Sequence, residues 1–283
     1  MPTRPRVASR DRDLPGSFDP QVVAAIDARL VGVAREHGVH VPWAVESGSR
    51  AWGFPSPDSD YDCRFVYVRP VADYLDPWPP RDVVETPLDA VLDVNGWDLL
   101  KVVRLAVGGN ATPGEWLRSP LVYAGEPQFR DELLDLVDAA ADRQAVRRHY
   151  LHVGRDQWQR SGAAHGAQVA LKRVFYGLRP AAALHWLTLH DGTTPPMNLT
   201  QLLDEAPPPA DVRDDVEALV AAKAVTRELG TGTVPPALRA WVDAQLSDAA
   251  DADVSPDGTA VAQRRAEAAA RFRGLVARWA PEA

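Results

Sequence analysis

The chain has 283 residues, with 46% hydrophobic and 25% charged side chains and a formal net charge of -8. That is the composition of a globular protein of one or two domains, and its acidic balance excludes a chain that coats nucleic acid by charge alone. The single cysteine, Cys63, excludes a disulfide framework and a cysteine-based metal site.

The opening stretch MPTRPRVASRDRDLPGS lacks the apolar core of a secretory signal. No segment approaches the roughly 18 uncharged apolar residues that a membrane span needs, so the expectation is a soluble, cytoplasmic protein. The first predicted helix is DPQVVAAIDARLVGVAREHG, with Asp19 as N-cap, Pro20 at the first helical position and Gly38 as the stop. A strand, VHVPWAVES, follows and ends in the turn Gly48-Ser49. A short loop later comes a second strand, YDCRFVYV, terminated by Arg69-Pro70. Cys63 lies within it and is read as a small packing residue. Next come a short helix in VADYLD, a loop in PWPP and two further strands in RDVVET and AVLDV.

From Trp97 the period changes to a helical one in WDLLKVVRLAVGG, which ends on two glycines. Beyond Pro120 the pattern is almost wholly helical. Helices are predicted over Pro127–Asp142, Arg143–Arg160, Ala164–His190, Ala210–Leu229, Pro235–Leu246 and Thr259–Trp279. This order predicts an α+β unit over residues 1–120 and a helical unit over 121–283.

The chemistry-bearing stretch is ESGSRAWGFPSPDSDYDCRFVYV. Residues two apart on a strand share a face, so Asp60 and Asp62 present two carboxylates side by side. Carboxylates that close repel one another unless a cation lies between them. Magnesium suits such a site, because it takes oxygen ligands and is held by one or two carboxylates together with substrate phosphates. A third acidic residue would allow two ions to clamp an in-line phosphoryl transfer. Upstream, Gly48-Ser49 could let a phosphate approach the backbone and form an anion nest.

Elsewhere, Lys101 and Arg104 share one helical face, which could meet a triphosphate or simply face solvent. Lys172, Tyr176 and Arg179 are four and three apart and line one helical stripe, where an aromatic ring between two cations suits base stacking beside phosphates. Glu115 and Trp116 are expected to cap and pack the junction between the two units. His149, His152 and His165 show no metal-ligand spacing, and neither a phosphate loop nor a dinucleotide glycine fingerprint occurs. The last helix, with Phe272, Leu275, Val276 and Trp279, is expected to pack in the core.

The combination SGSRAWGFPSPDSDYDCRFVYV resembles the signature of the polymerase-β nucleotidyltransferase superfamily. More narrowly it is similar to the RNA ligase-associated polymerase (RlaP) group. RDVVETPLDAVLDVNGWDLLKVVRLAVGGNATPGEWLRSPLVY, LKRVFYGLRPAAALHWL and PPMNLTQLL extend the likeness over roughly Val45 to Leu203. Leu100 departs from it, standing where the group usually carries a basic residue. The resemblance implies a polymerase-β-type core followed by a helical nucleotide- and acceptor-binding domain. It also implies a third carboxylate on a neighbouring strand between apolar residues. Asp93 fits that place, with Asp98 as the rival.

The implied roles are two magnesium ions on Asp60, Asp62 and Asp93, and nucleotide contacts from Gly48, Ser49, Arg50, Lys101, Lys172, Tyr176 and Arg179. Arg50 is the residue expected to neutralise charge on the departing pyrophosphate. The implied activity is transfer of an NMP from an NTP to an acceptor hydroxyl, an RNA 3′ end, in repair beside an RNA ligase. The alternatives are nucleotidylation of a small molecule or a protein, or a non-catalytic nucleotide sensor.

Overall fold

In the computed structural model, residues 5–89, 91–166, 168–226, 229–247 and 258–282 are described. The chain enters through β1 (Arg6–Val7) and the helix α1 (Pro20–Glu36). The α1 N-cap is Asp19, whose side chain accepts the Gln21 amide, and Pro20 opens the first turn. Strands β2 (His40–Glu46) and β3 (Tyr61–Val68) follow, then the short helix α2 (Val71–Leu75), β4 (Val83–Glu85) and β5 (Leu92–Asp98). Helices α3 (Leu99–Val107) and α4 (Thr112–Leu117) lead to β6 (Val122–Gly125).

These strands form one mixed sheet in the order β1-β2-β3-β5-β4, with β6 paired to β2. At its centre, β3 runs antiparallel to β2 and parallel to β5. In that parallel register Asp62 stands opposite Asp93. The alternation along β3 buries Tyr61, Cys63 and Phe65 and leaves Asp62 and Arg64 on the partly open face.

The remaining elements are helical apart from a small two-stranded antiparallel ladder. They are α5 (Pro127–Ala140), α6 (Arg143–Ser161), β7 (Val169–Ala170), α7 (Leu171–Leu189), α8 (Leu199–Glu205), α9 (Ala210–Val225), β8 (Thr231–Gly232), α10 (Pro236–Ser247) and α11 (Gly258–Trp279). β7 pairs with β8.

Three cores hold the molecule. One face of the sheet packs on α1 through Ile26, Leu30, Cys63, Phe65 and Val94. The other face packs on α3, α5 and α11 through Val45, Val66, Leu99, Phe129, Leu133 and Leu275. Each such side chain contributes about 1.5–3 kcal/mol on burial. The third core gathers α6 to α10, with Phe175, Leu178, Leu184, Leu238 and Val242 fully buried.

The division expected at 120/121 does not follow these cores. β6 completes the sheet, and α5 and α11 cover it, so both ends of the expected helical unit pack with the first 120 residues. α6 to α10 gather around a helical core that also takes in Phe54 and Ala111 of the first 120 residues. The helix expected from Ala164 starts at Leu171, because Gly166 takes a left-handed conformation (φ 67°) and the chain then forms β7. Among the described residues no helix is long and apolar enough to cross a membrane.

Candidate active site

The site begins where β2 ends. Glu46 is fully buried, and its Oε1 accepts the amides of Gly48 (3.0 Å) and Asp62 (3.1 Å). Its Oε2 accepts the Tyr123 hydroxyl at 2.5 Å. One carboxylate thus ties the Gly48 turn, β3 and β6 together. Burial raises the Glu46 pKa, opposed by these three donors.

Gly48 is required by close packing. A Cβ there would lie 1.9 Å from Asp62 Oδ2. Its amide is committed to Glu46, so the anion nest expected at Gly48-Ser49 lacks that N–H. The Ser49 hydroxyl donates to Ser59 Oγ at 2.9 Å, which closes the loop that carries Asp60.

Above this turn opens a cleft of about 1060 Å³. Gly48, Ser49, Asp60, Asp62 and Arg64 form its floor. Lys172, Arg173 and Tyr176 of α7 and Lys223 of α9 also line it. Its lining brings the carboxylates of Asp58, Asp60 and Asp62 together with the cationic side chains of Arg64, Lys172, Arg173 and Lys223, an arrangement suited to a polyphosphate bridged by a cation. Burial raises the Asp62 pKa, and the neighbouring Asp93 and Asp60 push the same way against Arg64.

Asp93 is close to the floor without lining the cleft. The Nη2 of Arg64 lies 2.7 Å from Asp93 Oδ2 and 3.2 Å from Asp62 Oδ1, so a guanidinium separates the two carboxylates. The rival, Asp98, is elsewhere. It caps α3 by accepting the Leu100 amide at 2.7 Å, and it pairs with buried Arg69 at 3.0 Å.

Three residues expected to touch the nucleotide stand off the cleft. Arg50 stacks on the Tyr61 ring at 4.0 Å and donates to the carbonyls of Ser59 and Asp60. It therefore braces the Asp60 loop from behind and faces a different pocket. Lys101 pairs with Asp82 at 3.2 Å. Arg179 is buried against Glu115 at 2.8 Å and donates to the Met197 carbonyl, because α7 turns its middle into the helical core. The Glu115–Arg179 pair pins α4 to α7, and Trp116 packs on Trp97 with ring centroids 4.1 Å apart.

Arg64, Arg173 and Lys223 of the cleft escape a motif-based search. Arg64 follows Asp60 and Asp62 at the same period of two, which is the signal that places it on their face. Lys223 is only 8% exposed and donates to the Phe54 carbonyl at 2.6 Å. It lies over the Phe54 ring at 4.7 Å, and burial lowers its pKa to about 8. Its signal is a lysine continuing the apolar stripe of Val212 and Val216 at helical spacing.

A family model described as the RNA repair pathway DNA polymerase beta family (RlaP) matches residues 22–271. The chain belongs to that family. A relative from Bacillus subtilis (strain 168), the uncharacterized protein YcgL, is 38% identical over 200 residues, spanning 71% of this chain and 76% of the relative. Membership in the RlaP family joins the mixed sheet and its helices to a polymerase-β-like core, and it associates the chain with nucleotidyl transfer in RNA repair.

A divalent cation held on carboxylates would serve phosphoryl transfer in such a cleft. Among the described residues no three His, Cys, Asp or Glu side chains stand together at metal-ligand spacing. What does fit is the Asp60–Asp62 pair, whose hard oxygen donors border the open cleft and match a cation shared with phosphate oxygens.

Proposed function

We propose that the protein transfers a nucleoside monophosphate from an NTP to an acceptor hydroxyl, an RNA 3′ end, and releases pyrophosphate. One observation carries this. Asp60 and Asp62 line the same cleft as Lys172, Arg173 and Lys223. RlaP family membership supports the same chemistry.

In this reading Asp60 and Asp62 hold magnesium, and Asp93 completes the carboxylate set once Arg64 is drawn away. Bound magnesium would neutralise charge on the phosphates and polarise the reacting one. Lys172, Arg173 and Lys223 bind the β- and γ-phosphates and stabilise the departing pyrophosphate. The Gly48-Ser49 turn, held by Glu46 and Ser59, sets the positions of Asp60 and Asp62 on the acidic floor. Tyr176 stands where a base could stack, in the nucleotide-binding role expected of it. The α6–α10 body then serves as the nucleotide- and acceptor-binding domain. The acceptor hydroxyl passes its proton to Asp93 and attacks the α-phosphorus, and the bond from that phosphorus to the bridging oxygen breaks as pyrophosphate leaves. In this reading the protein acts beside an RNA ligase.

The test is pyrophosphate release from each of the four NTPs with magnesium and a pool of small RNAs. Wild type is compared with a variant carrying Asp60→Ala and Asp62→Ala. Release with labelled RNA growing, lost in the variant, is the expected result. Release without RNA labelling would turn the acceptor to a small molecule or a protein. NTP binding with no release under any condition would sink the catalytic reading in favour of a nucleotide sensor.

A further inference from the structure

Beside the cleft lies a smaller cavity of about 240 Å³ between α4, α6 and α7. It is lined by Trp52, Val153, Phe175 and Tyr176, with Glu115 and His149 at its polar side. Trp52, Thr112 and Tyr176 also line the main cleft, so the two spaces share a wall. Sites for whole drug-sized ligands measure roughly 300–1,000 Å³. This cavity is therefore sized for part of a ligand whose remainder lies in the cleft.

Its chemistry is that of a flat aromatic guest. Trp52 meets Tyr176 edge-on with ring centroids 5.9 Å apart, and the Arg179 guanidinium lies over the indole at 5.1 Å. The Trp52 Nε1 is buried and, among the described residues, has no hydrogen-bond partner. An indole N–H can only donate, and leaving it dry and unpaired costs free energy that a ligand acceptor would recover. The Glu115 carboxylate is not that acceptor. Its Oε1 accepts the Tyr150 hydroxyl at 2.7 Å and faces the Arg179 guanidinium at 2.8 Å, and it takes no bond from the indole. Burial lowers the His149 pKa, which keeps its ring neutral, with one donor and one acceptor nitrogen.

We infer that this cavity takes the nucleobase of the bound triphosphate, with Trp52 Nε1 donating to a ring nitrogen or carbonyl oxygen of the base. The inference rests on the nucleotidyl-transfer reading above and adds the place where the base is recognised. Tyr176, shared by both spaces, then marks the passage from phosphates to base.

Calorimetric titration of the full chain, in magnesium, with α,β-methylene nucleoside triphosphates and with inorganic tripolyphosphate tests it. At least one nucleotide is expected to bind about fivefold or more tightly than tripolyphosphate, the low end of what one base–aromatic stack provides. Trp52→Phe keeps a ring and removes the N–H. Val153→Phe fills the cavity and leaves the indole untouched. Each variant, once its melting temperature matches wild type, should lose most of that nucleotide advantage and bind tripolyphosphate unchanged. Equal affinity of wild type for nucleotide and tripolyphosphate would overturn the base pocket and leave the phosphate site standing. A nucleotide advantage that survives Val153→Phe would move the base elsewhere. If neither ligand binds, the nucleotidyl-transfer reading itself falls, and the pocket with it.

Discussion

The Arg64 guanidinium lies 2.7 Å from the Asp93 carboxylate and so occupies the space a cation would take between Asp93 and Asp62. Both carboxylates are about one-third exposed, so the arrangement is worth less than a buried triad. Arg64→Met should cost the metal-free protein about 1–2 kcal/mol. It should also increase the stabilisation that magnesium confers, because the cation no longer competes with a resident guanidinium. Thermal unfolding with and without magnesium reads both effects. A smaller magnesium-dependent shift in the variant than in wild type would contradict the competition.

Gly48 meets Asp62 closely enough that any side chain would displace the carboxylate. Gly48→Ala should leave the fold largely intact and shift Asp62 from its place on the floor. A misplacement of about 1 Å at a reacting centre costs on the order of a hundredfold in rate. Pyrophosphate release by Gly48→Ala should fall by about that factor, with melting lowered by only a few degrees. Near-wild-type release would mean that the contact does not set the geometry.

Much of this site is legible in the sequence. The bounds of β3 and the N-cap of α1 follow from alternation and from Asp19-Pro20. Other features depend on partners far along the chain. β6 is four residues between two prolines, too short to show a period, and it exists because β2 offers an edge. Arg179 sits on the same helical stripe as Lys172 and Tyr176, yet α7 turns it inward to Glu115. A stripe tells which residues share a face but not where that face stops meeting solvent. Asp93 and Asp98 look alike as carboxylates at strand or helix ends. Only the parallel register of β3 and β5 separates the one opposite Asp62 from the one that caps α3.

The Glu115–Arg179 pair is 12% and 7% exposed, respectively. Burial works to raise the Glu115 pKa, and Arg179 with Tyr150 more than offsets it, so the net shift is downward. Arg179→Met alone leaves a buried carboxylate uncompensated and should destabilise by about 3–5 kcal/mol. Arg179→Met with Glu115→Leu should recover a large part of that loss. Urea unfolding of the two single variants and the double variant gives the coupling. Additive losses would show that the two side chains do not act as a pair.

His40 gives the fold a dependence on acidity. It is fully buried, and its Nδ1 lies 3.1 Å from the Trp279 carbonyl at the end of α11. A carbonyl only accepts, so Nδ1 carries the proton and Nε2, buried without a partner among the described residues, is bare. Burial lowers the His40 pKa from 6.5 to about 4. Between those values the unfolded chain binds the proton and the folded one does not, so stability falls as pH drops from about 6.5 towards 4. The full shift corresponds to about 3 kcal/mol. His40→Asn keeps an N–H donor near the Nδ1 position and cannot titrate. Its urea midpoint should vary less with pH than that of wild type over this window. Parallel pH profiles for the two proteins would show that His40 does not carry the effect.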